Sequence, residues 1–222
     1  MAVTNQDTTR NVYNKSYEVR PDLVSDDDIL ANFKEVGRIF FDETDGFNKY
    51  WDGSSFISLA GDNTNGWAQY KDDQYTSGSP LVINSGSTTT IDNNSATSIT
   101  SQLPIGVDSF YDNATSRITP ENSGDAYLLR VDFSAFTSSP SGLAKVKIDI
   151  GDGITPNVIL ERSFTFPKGT GLSNATNYST TTSIYSLGTF LANGGLVQVE
   201  SVTGNTSVYD INFVITRVHK AT

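Results

Sequence analysis

The sequence predicts an all-β protein: an antiparallel β-sandwich or jelly roll, preceded by an N-terminal arm, one short helix and a small β-meander. Three observations support this fold class. Gly, Ser, Thr and Asn are abundant, whereas the helix formers Ala, Leu, Glu and Lys are not. The 222-residue chain contains 12 Phe and 10 Tyr, which suit pleated, half-buried surfaces. Short apolar or alternating runs recur between turn signals, as in sandwiches.

The first element is a polar arm followed by a helix. Residues 1 to about 22 are polar without a sustained period, which predicts an extended arm that becomes ordered on a partner. The segment SDDDILANFKEVG (25–37) then predicts a helix. Ser25 is the N-cap, the following acidic residues favour the positive end of the helix dipole, and Gly37 ends the helix.

A small meander comes next, in the stretch IFFDETDGFNKYWDGSSFI (39–57). RIFF, FNKYW and FISLAG predict three strands separated by turns at ETDG and DGSS. Three strands are only marginally stable alone, so the unit needs a neighbour. Its carboxylates, Asp42, Glu43, Asp45 and Asp52, are interpreted as turn formers. GDNTNG (61–66) predicts a linker, which divides the chain into regions 1–65 and 66–222.

The second region contains a series of short predicted strands. These runs are WAQY, PLVI, TTTI, SFYD, SRITP, AYLLRVDFSAF, AKVKIDI, NVILERSFTF, SIYSLGTFL, LVQVESV and YDINFVITRV. In AYLLRVDFSAF, alternation predicts one core face that carries Tyr127, Leu129, Val131, Phe133 and Ala135. In the last run it places Tyr209, Ile211, Phe213, Ile215 and Arg217 together on one face. A Ser/Thr-rich stretch over 76–101 is interpreted as β-structure with hydroxyl-bearing outer faces, because apolar anchors interrupt it.

Charge and composition exclude several classes of function. The formal net charge of −10 would repel a phosphate backbone, so nucleic-acid binding is not expected. The chain has no cysteine, which fits folding by packing alone in a reducing cytoplasm. We find neither an apolar signal-peptide core at the N-terminus nor a run long enough to cross a membrane, so we expect no membrane insertion.

Residues that could carry catalysis are sparse. The only histidine, His219, is interpreted as a solvated tail residue, since a catalytic base needs an orienting partner. Two acids at a defined separation could hydrolyse a glycosidic bond, and the candidates are Asp132, Asp149, Glu161 and Glu200. Ordinary outward-facing charges are the preferred interpretation of these residues. A glycan-degrading enzyme is therefore the third hypothesis, and the chain is predicted not to be an enzyme.

One loop could bind a cation. IDIGDGITPN (148–157) combines Asp149 and Asp152 with Gly151 and Gly153, and carboxylate and carbonyl oxygens are calcium ligands. It lacks the spacing and the bidentate glutamate of an EF-hand loop, so a hairpin turn is the preferred interpretation. We predict no metal and no cofactor.

Two parts of the chain resemble structural proteins of tailed bacteriophages. GRIFFDETDGFNKYWDGSSFISLAG (37–61) is similar to a short aromatic meander found in phage fibre and fibre-attachment proteins. Most of 67–222 resembles phage virion domains with a trimeric jelly roll, like that of tumour necrosis factor and complement-type globular heads. The landmarks are WAQYKDDQYTSGSPLVI, LPIGVDSFYDNATSRITPENSGDAYLLRVDFSAF and YDINFVITRV.

The resemblance implies a virion protein made in the bacterial host cytoplasm: a homotrimeric head-fibre or capsid-decoration protein, bound to other virion proteins of the capsid or tail by region 1–65. The implied attachment residues are Phe40, Phe47, Tyr50 and Trp51. The implied trimer-interface residues are Tyr127, Phe133, Tyr209 and Phe213.

An alternative function is recognition of host glycans, by a tail-fibre or receptor-binding protein or a carbohydrate-binding module. Aromatic rings can stack on sugar rings beside polar Asn and Asp side chains. The candidates for such stacking are Trp67, Tyr70, Tyr75 and Tyr111.

Overall fold

The computed structural model describes residues 36–37, 39–42, 47–58, 64–166 and 169–221. The chain forms two compact units, Met1–Asn63 and Thr64–Thr222, and each is considered separately below. The predicted arm lies outside the described residues, as does the predicted helix over 25–37 apart from Val36 and Gly37.

The first unit contains the predicted meander. Its strands are β1 (Ile39–Asp42), β2 (Phe47–Trp51) and β3 (Phe56–Ser58), and they form one antiparallel sheet in the order β1-β2-β3. Asp52 closes the turn between β2 and β3 by accepting backbone N–H bonds from Ser54 and Ser55, both at 2.7 Å. The prediction of three strands is confirmed, and so is the turn-forming role of Asp52.

The second unit is built from two six-stranded antiparallel sheets. Its strands are β4 (Gly66–Lys71), β5 (Leu81–Ile83), β6 (Thr88–Thr90), β7 (Thr97–Ile99), β8 (Tyr111–Asp112), β9 (Arg117–Ile118), β10 (Ala126–Thr137), β11 (Leu143–Asp149), β12 (Val158–Thr165), β13 (Thr176–Tyr185), β14 (Gly195–Thr203) and β15 (Thr206–His219). A 3₁₀ turn (Leu172–Asn174) precedes β13, and a short helix, α1 (Gly188–Asn193), precedes β14.

The strand order identifies a jelly roll. Sheet one runs β13-β10-β15-β4-β7, with β5 also paired to β15, and sheet two runs β12-β11-β14-β9-β8, with β6 paired to β14. The chain therefore crosses from one sheet to the other after β10, β12, β13 and β14. Strands β10, β13 and β15 lie in sheet one, and β11, β12 and β14 lie in sheet two. This is the double Greek-key connection. The predicted fold class is confirmed.

The core lies between the two sheets, where the alternation of β10 predicts it. Tyr127, Leu129, Val131, Phe133 and Ala135 are all buried, while the intervening residues face outward. Sheet two contributes apolar residues from β11 and β14. Burying apolar surface stabilises a fold by about 25 cal/mol per Å². Because the chain has no cysteine and so no disulfide, this interior is the main stabilising contribution.

A β-bulge changes the face of one predicted residue. Asp132 pairs with Asn212 but Ser134 pairs with Tyr209, so Phe133 opposes two residues of β15. One of these, Asp210, has a φ of 53°, a left-handed conformation that Asp tolerates better than most residues. Beyond the bulge, Ile211, Phe213, Ile215 and Arg217 face inward as predicted.

The run SIYSLGTFL is not one strand. Its first three residues end β13, and GTFL begins α1. Phe190 of this helix is buried, and its carbonyl accepts a bond from the Gly194 N–H at 2.8 Å. Gly194 has a φ of 70°, which suits a glycine helix C-cap. The apolar pattern therefore gave the wrong type of element, and of its large apolar residues only Ile184 and Phe190 are buried.

Candidate functional site

The small sheet of the first unit presents a row of apolar side chains. Ile39 pairs with Tyr50, and Tyr50 pairs with Ile57, so the three side chains share one face of the sheet. Ile39 is 45% exposed and Ile57 37% exposed. Val36, just before β1, is 70% exposed. A sheet this small cannot cover these groups itself, so the row is available to a partner.

The sequence identified only part of this surface. Tyr50 belongs to the row, but Trp51 is the next residue along β2 and therefore faces the other way, where its ring centroid lies 4.8 Å from that of Phe56. The side chains of Phe40 and Phe47 lie outside the described part. Ile39 and Ile57 were missed because the prediction ranked aromatic rings, although the hairpin register would have aligned them with Tyr50.

The predicted trimer-interface residues belong to a single subunit's interior. Tyr127 is 1% exposed, Phe133 3% and Phe213 0%. Side chains already excluded from water have no surface left for a partner, so this prediction is corrected for all three. Tyr209 differs, because the bulge turns it to the outer face of sheet one, where its ring lies 6.3 Å from Phe136. It too is nearly covered, at 8% exposed.

The outer face of sheet one carries a hydrogen-bonded row of polar side chains. The Gln69 amide donates to the Asn212 oxygen at 2.8 Å, and the Asn212 amide donates to Asp132 at 3.1 Å. Asp132 also accepts bonds from Ser179 at 2.6 Å and from Arg130 at 2.8 Å. The row crosses β4, β15, β10 and β13 in turn, and its single carboxylate is neutralised by Arg130.

This polar row forms part of a shallow cavity of about 590 Å³. Its other polar lining residues include Lys71, Ser134, Asn177 and Asp210. Ser134 and Asn177 are joined by a further hydrogen bond of 2.8 Å. Amide, hydroxyl, carboxylate and ammonium groups thus surround an open depression, which is suited to a hydrated, hydrogen-bonding ligand or to a polar protein contact.

The outer face of sheet two carries a ladder of four charged side chains. Lys145 and Lys147 of β11 lie between Glu161 of β12 and Glu200 of β14, with Lys145–Glu161 at 2.9 Å and Lys147–Glu200 at 2.6 Å. The hydrogen bond from Lys145 lowers the pKa of Glu161, and the same bond raises the pKa of Lys145. These exposed pairs contribute little to stability individually. Together they form a continuous ladder of ion pairs, which makes this face costly to dehydrate.

A buried ion pair holds one end of the sandwich together. Asp125 is 0% exposed and Arg217 2%, and they meet at 3.4 Å. Asp125 also accepts bonds from the Tyr127 hydroxyl at 3.1 Å and from the Ala221 N–H at 2.8 Å. Arg217 donates to the Thr64 carbonyl at 2.6 Å. The network therefore fixes the first residue of this unit to the end of β15.

Two of the predicted sugar-stacking residues are part of the core. Tyr70 is 3% exposed and Tyr111 4%, and burial raises the pKa of Tyr111 to about 12. Neither ring can stack on a ligand, so this part of the prediction is corrected. Tyr75 is half-buried and packs against the core. Trp67 is half-buried on the outer face of sheet one, paired with Thr216 beside the polar row.

Among the candidate catalytic acids, Glu161 and Glu200 are the two that lie near each other, and the same two lysines of β11 contact both. Asp149 accepts the N–H groups of Gly151 at 2.8 Å and Asn157 at 2.7 Å, which closes the hairpin between β11 and β12. Asp152 accepts two more backbone bonds in the same loop, which lower its pKa. The hairpin-turn interpretation of this loop is confirmed. Asp132 belongs to the polar row, and Glu161 and Glu200 are paired with lysines.

The remaining findings concern metals, membranes and His219. His219 is exposed at the end of β15. Among the described residues, no group of three His, Cys, Asp or Glu side chains is arranged as a metal site would require. None of the helices in the described part is long and apolar enough to cross a membrane.

Comparisons with known proteins give fold neighbours alone. No family model and no curated protein matches the chain. Among solved structures, Eiger TNF from S. frugiperda has 12% identity, a TM-score of 0.43 and coverage of 70% of this chain and 94% of its own. PRD1 vertex protein P5 has 13% identity, a TM-score of 0.41 and coverage of 75% and 79%. A pentameric capsid protein isolated from metagenomic phage sequences has 9% identity, a TM-score of 0.27 and coverage of 98% and 92%.

These neighbours therefore include a TNF-type protein and structural proteins of viral particles. At such TM-scores the likeness carries no argument about function. The jelly-roll assignment rests on the strand order of this chain, and the functional argument rests on its own surfaces.

Proposed function

We propose that this chain is a non-enzymatic structural protein of a bacteriophage particle, a homotrimeric head-fibre or capsid-decoration protein that region 1–65 fastens to the capsid or tail. The observation that carries the proposal is the row of Ile39, Tyr50 and Ile57, whose two isoleucines are exposed on a small three-stranded sheet. The resemblance of this stretch to phage attachment meanders supports the same reading.

The jelly roll supplies the projecting part. Its core is complete within one subunit, and the outer faces of both sheets carry hydroxyl, amide and charged groups, which suits a particle exposed to solvent. The trimer contact is now assigned to the outer face of sheet one instead of to the core residues. There Leu128 and Val214 lie beside the polar row, and Asp132, Arg130, Lys71 and Asp210 bring charge. Hydrogen-bonding groups beside partly exposed apolar side chains are typical of subunit interfaces.

The absence of enzymatic activity is also part of the proposal. The carboxylates that sequence reasoning singled out bond to backbone amides in turns or to neighbouring cations. Each therefore has a structural role in this fold, and none needs a substrate to explain its position.

The proposal is tested on particles and on the purified chain. Quantitative mass spectrometry of purified phage should find the chain in a copy number divisible by three, and light scattering of the isolated protein should give a trimer at micromolar concentration. Replacing Ile39 and Ile57 with serine should lower incorporation into particles about tenfold per side chain, because each loses the burial of a large aliphatic group. Leu172→Ser, at a similarly exposed aliphatic side chain of the jelly roll (47% exposed), is the matched control. A clean monomer, or equal incorporation of both variants, would refute the proposal.

A second candidate function is supported by the cavity on sheet one. The polar row of Gln69, Asn212 and Asp132 could hydrogen-bond the hydroxyl groups of a glycan, with Trp67 close by on the same face. A glycan array with the wild-type chain and an Asp132→Ala, Asn212→Ala variant tests this function. A trimer that buries this face would exclude glycans from it. If an intact trimer binds glycans on the array through this face, the trimer contact must lie elsewhere.

A further inference from the structure

Exposed apolar side chains are unevenly distributed over the jelly roll. One end, here called the Thr64 end, consists of Thr64 and the loops 100–108, 119–125, 150–157 and 186–194. The opposite end, here called the Asn205 end, consists of the loops 84–87, 138–142, 169–175 and 203–205. Hydrogen bonds within each set of loops define the two ends.

At the Thr64 end, two networks join the loops. Arg117 donates to the carbonyls of Gly151 and Asn193, at 3.2 and 2.6 Å, which links loops 150–157 and 186–194. Asp125 accepts from Ala221, and the Gly124 N–H donates to the Ser186 carbonyl at 2.6 Å. The Trp67 N–H donates to the Gln102 carbonyl at 2.9 Å, which adds loop 100–108.

Large apolar side chains lie exposed across this end. They are Ile154 (89% exposed), Tyr185 (67%), Leu187 (64%), Ile105 (62%), Val218 (49%) and Leu191 (38%). They come from four separate segments that the networks above hold in place. An isolated exposed leucine needs no explanation, but a set converging on one end is typical of an interaction surface.

The Asn205 end has a different composition. Asn205 bonds to Ser85 at 3.0 Å and to Ser138 at 2.9 Å, and the loops there read NSGS, SSPSG, GTGLSNA and TGN. Among the described residues of these loops and the adjoining β5, the exposed large apolar side chains are Leu172 (47%) and Val82 (54%). Small hydroxyl and amide residues remain hydrated at low cost, as expected of an end that faces solvent.

Chain connectivity identifies what covers the apolar end. Residues 1–63 are joined to the jelly roll at Thr64, which Arg217 fixes at 2.6 Å. Whatever those residues fasten to is therefore brought close to the Thr64 end by a covalent link. Asp108, Glu121 and Asp152 are exposed there as well, which disfavours an anionic lipid surface, since such surfaces attract Lys and Arg.

We propose that the Thr64 end is a second docking surface, on which the jelly roll rests against an apolar patch of the same particle protein that binds region 1–65, leaving the Asn205 end outermost. The inference builds on the proposed function, because the partner is a virion protein. It adds the orientation of the domain and a contact that the N-terminal region alone does not provide.

The test uses particles lacking this chain, to which the purified full-length protein is added back at increasing concentration. Leu187→Ser and Leu172→Ser are the matched pair, one at each end, and Ile154→Ser and Val82→Ser are a second pair. All four sites are exposed, so melting temperatures should match the wild type. We expect Leu187→Ser and Ile154→Ser each to raise the half-saturating concentration about tenfold, and the Asn205-end variants to bind like wild type.

The outcomes separate the two proposals. If the wild type does not bind, the proposed function fails and this docking surface fails with it. If the wild type binds and both members of each pair bind equally, the docking surface is overturned while the proposed function stands. If the wild type binds phosphatidylglycerol vesicles and Ile154→Ser abolishes that binding, the partner is a membrane and the proposed protein partner is wrong. If light scattering shows that the wild type associates end to end and that Leu187→Ser does not, the partner is a second copy of this chain.

Discussion

Removing Asp125 should destabilise the jelly roll more than any surface charge change. The carboxylate is fully buried and accepts bonds from Tyr127, Ala221 and Arg217. In Asp125→Ala, the Arg217 guanidinium stays buried without its counter-charge, and two further donors lose their acceptor. Breaking a buried ion pair from one side costs about 3–5 kcal/mol. Against a typical stability of roughly 5–15 kcal/mol, this is a large fraction.

The reasoning also predicts how the pair combines. Arg217→Met alone should cost a similar amount, because Asp125 is then the unpaired charge. The double variant should cost clearly less than the sum, since neither charge remains buried alone. Lys145→Ala is the control, and because solvent screens its pair with Glu161, this change should lower stability far less.

Urea unfolding of the full chain measures these differences. The experiment is best done in a Trp51→Phe background, so that the fluorescence of Trp67 reports on the jelly roll alone. We expect the midpoint of thermal unfolding of Asp125→Ala to fall by roughly 10 °C. A loss below about 1 kcal/mol, or additive effects in the double variant, would refute the view that this pair acts as a buried unit.

Three further predictions concern titration and packing. The Asp52 pKa is lowered to about 2 by backbone bonds from Ser55 and Ser54, so its turn should lose stability as pH falls from about 4 to about 2, and NMR titration of the carboxyl should show that midpoint. Burial raises the pKa of Tyr127 to about 12, so stability should be lost as pH rises from about 10 to about 12, and Tyr127→Phe should reduce this loss in alkaline melts. Phe213→Ala should cost about 3–5 kcal/mol in urea unfolding, because Phe213 is fully buried beside Tyr111, whereas Val218→Ala, exposed on the same strand, should cost little.

The fold was largely predictable because apolar alternation is a local signal that the core enforces. The long strands β10, β11, β14 and β15 match their predicted runs closely. The first seven residues of β13, TNYSTTT, were missed because an edge strand with one hydrated face can be built from hydroxyl residues, which periodicity alone does not distinguish from a loop. Helix α1 was missed because it is only six residues long and has no side-chain N-cap.

The candidate surfaces were less predictable because they depend on register and strand order. The row of Ile39, Tyr50 and Ile57 exists only once β1, β2 and β3 are aligned. The polar row needs four strands that are distant in sequence, so that Gln69 meets a residue 143 positions away. Composition could indicate that such residues are abundant, but it could not indicate which of them become neighbours.

The misassigned trimer residues show why aromatic content alone does not locate an interface. Core and interface both favour large rings, so Phe213 and Tyr209 look alike in a list of apolar residues. Alternation along β15 assigns them to one face, and the left-handed Asp210 between them overrides that assignment. Straightening the bulge would return Tyr209 to the core face, where Val208 already fills the interior. The bulge therefore decides which aromatic groups of β15 pack inside the subunit and which lie on the face available to another copy.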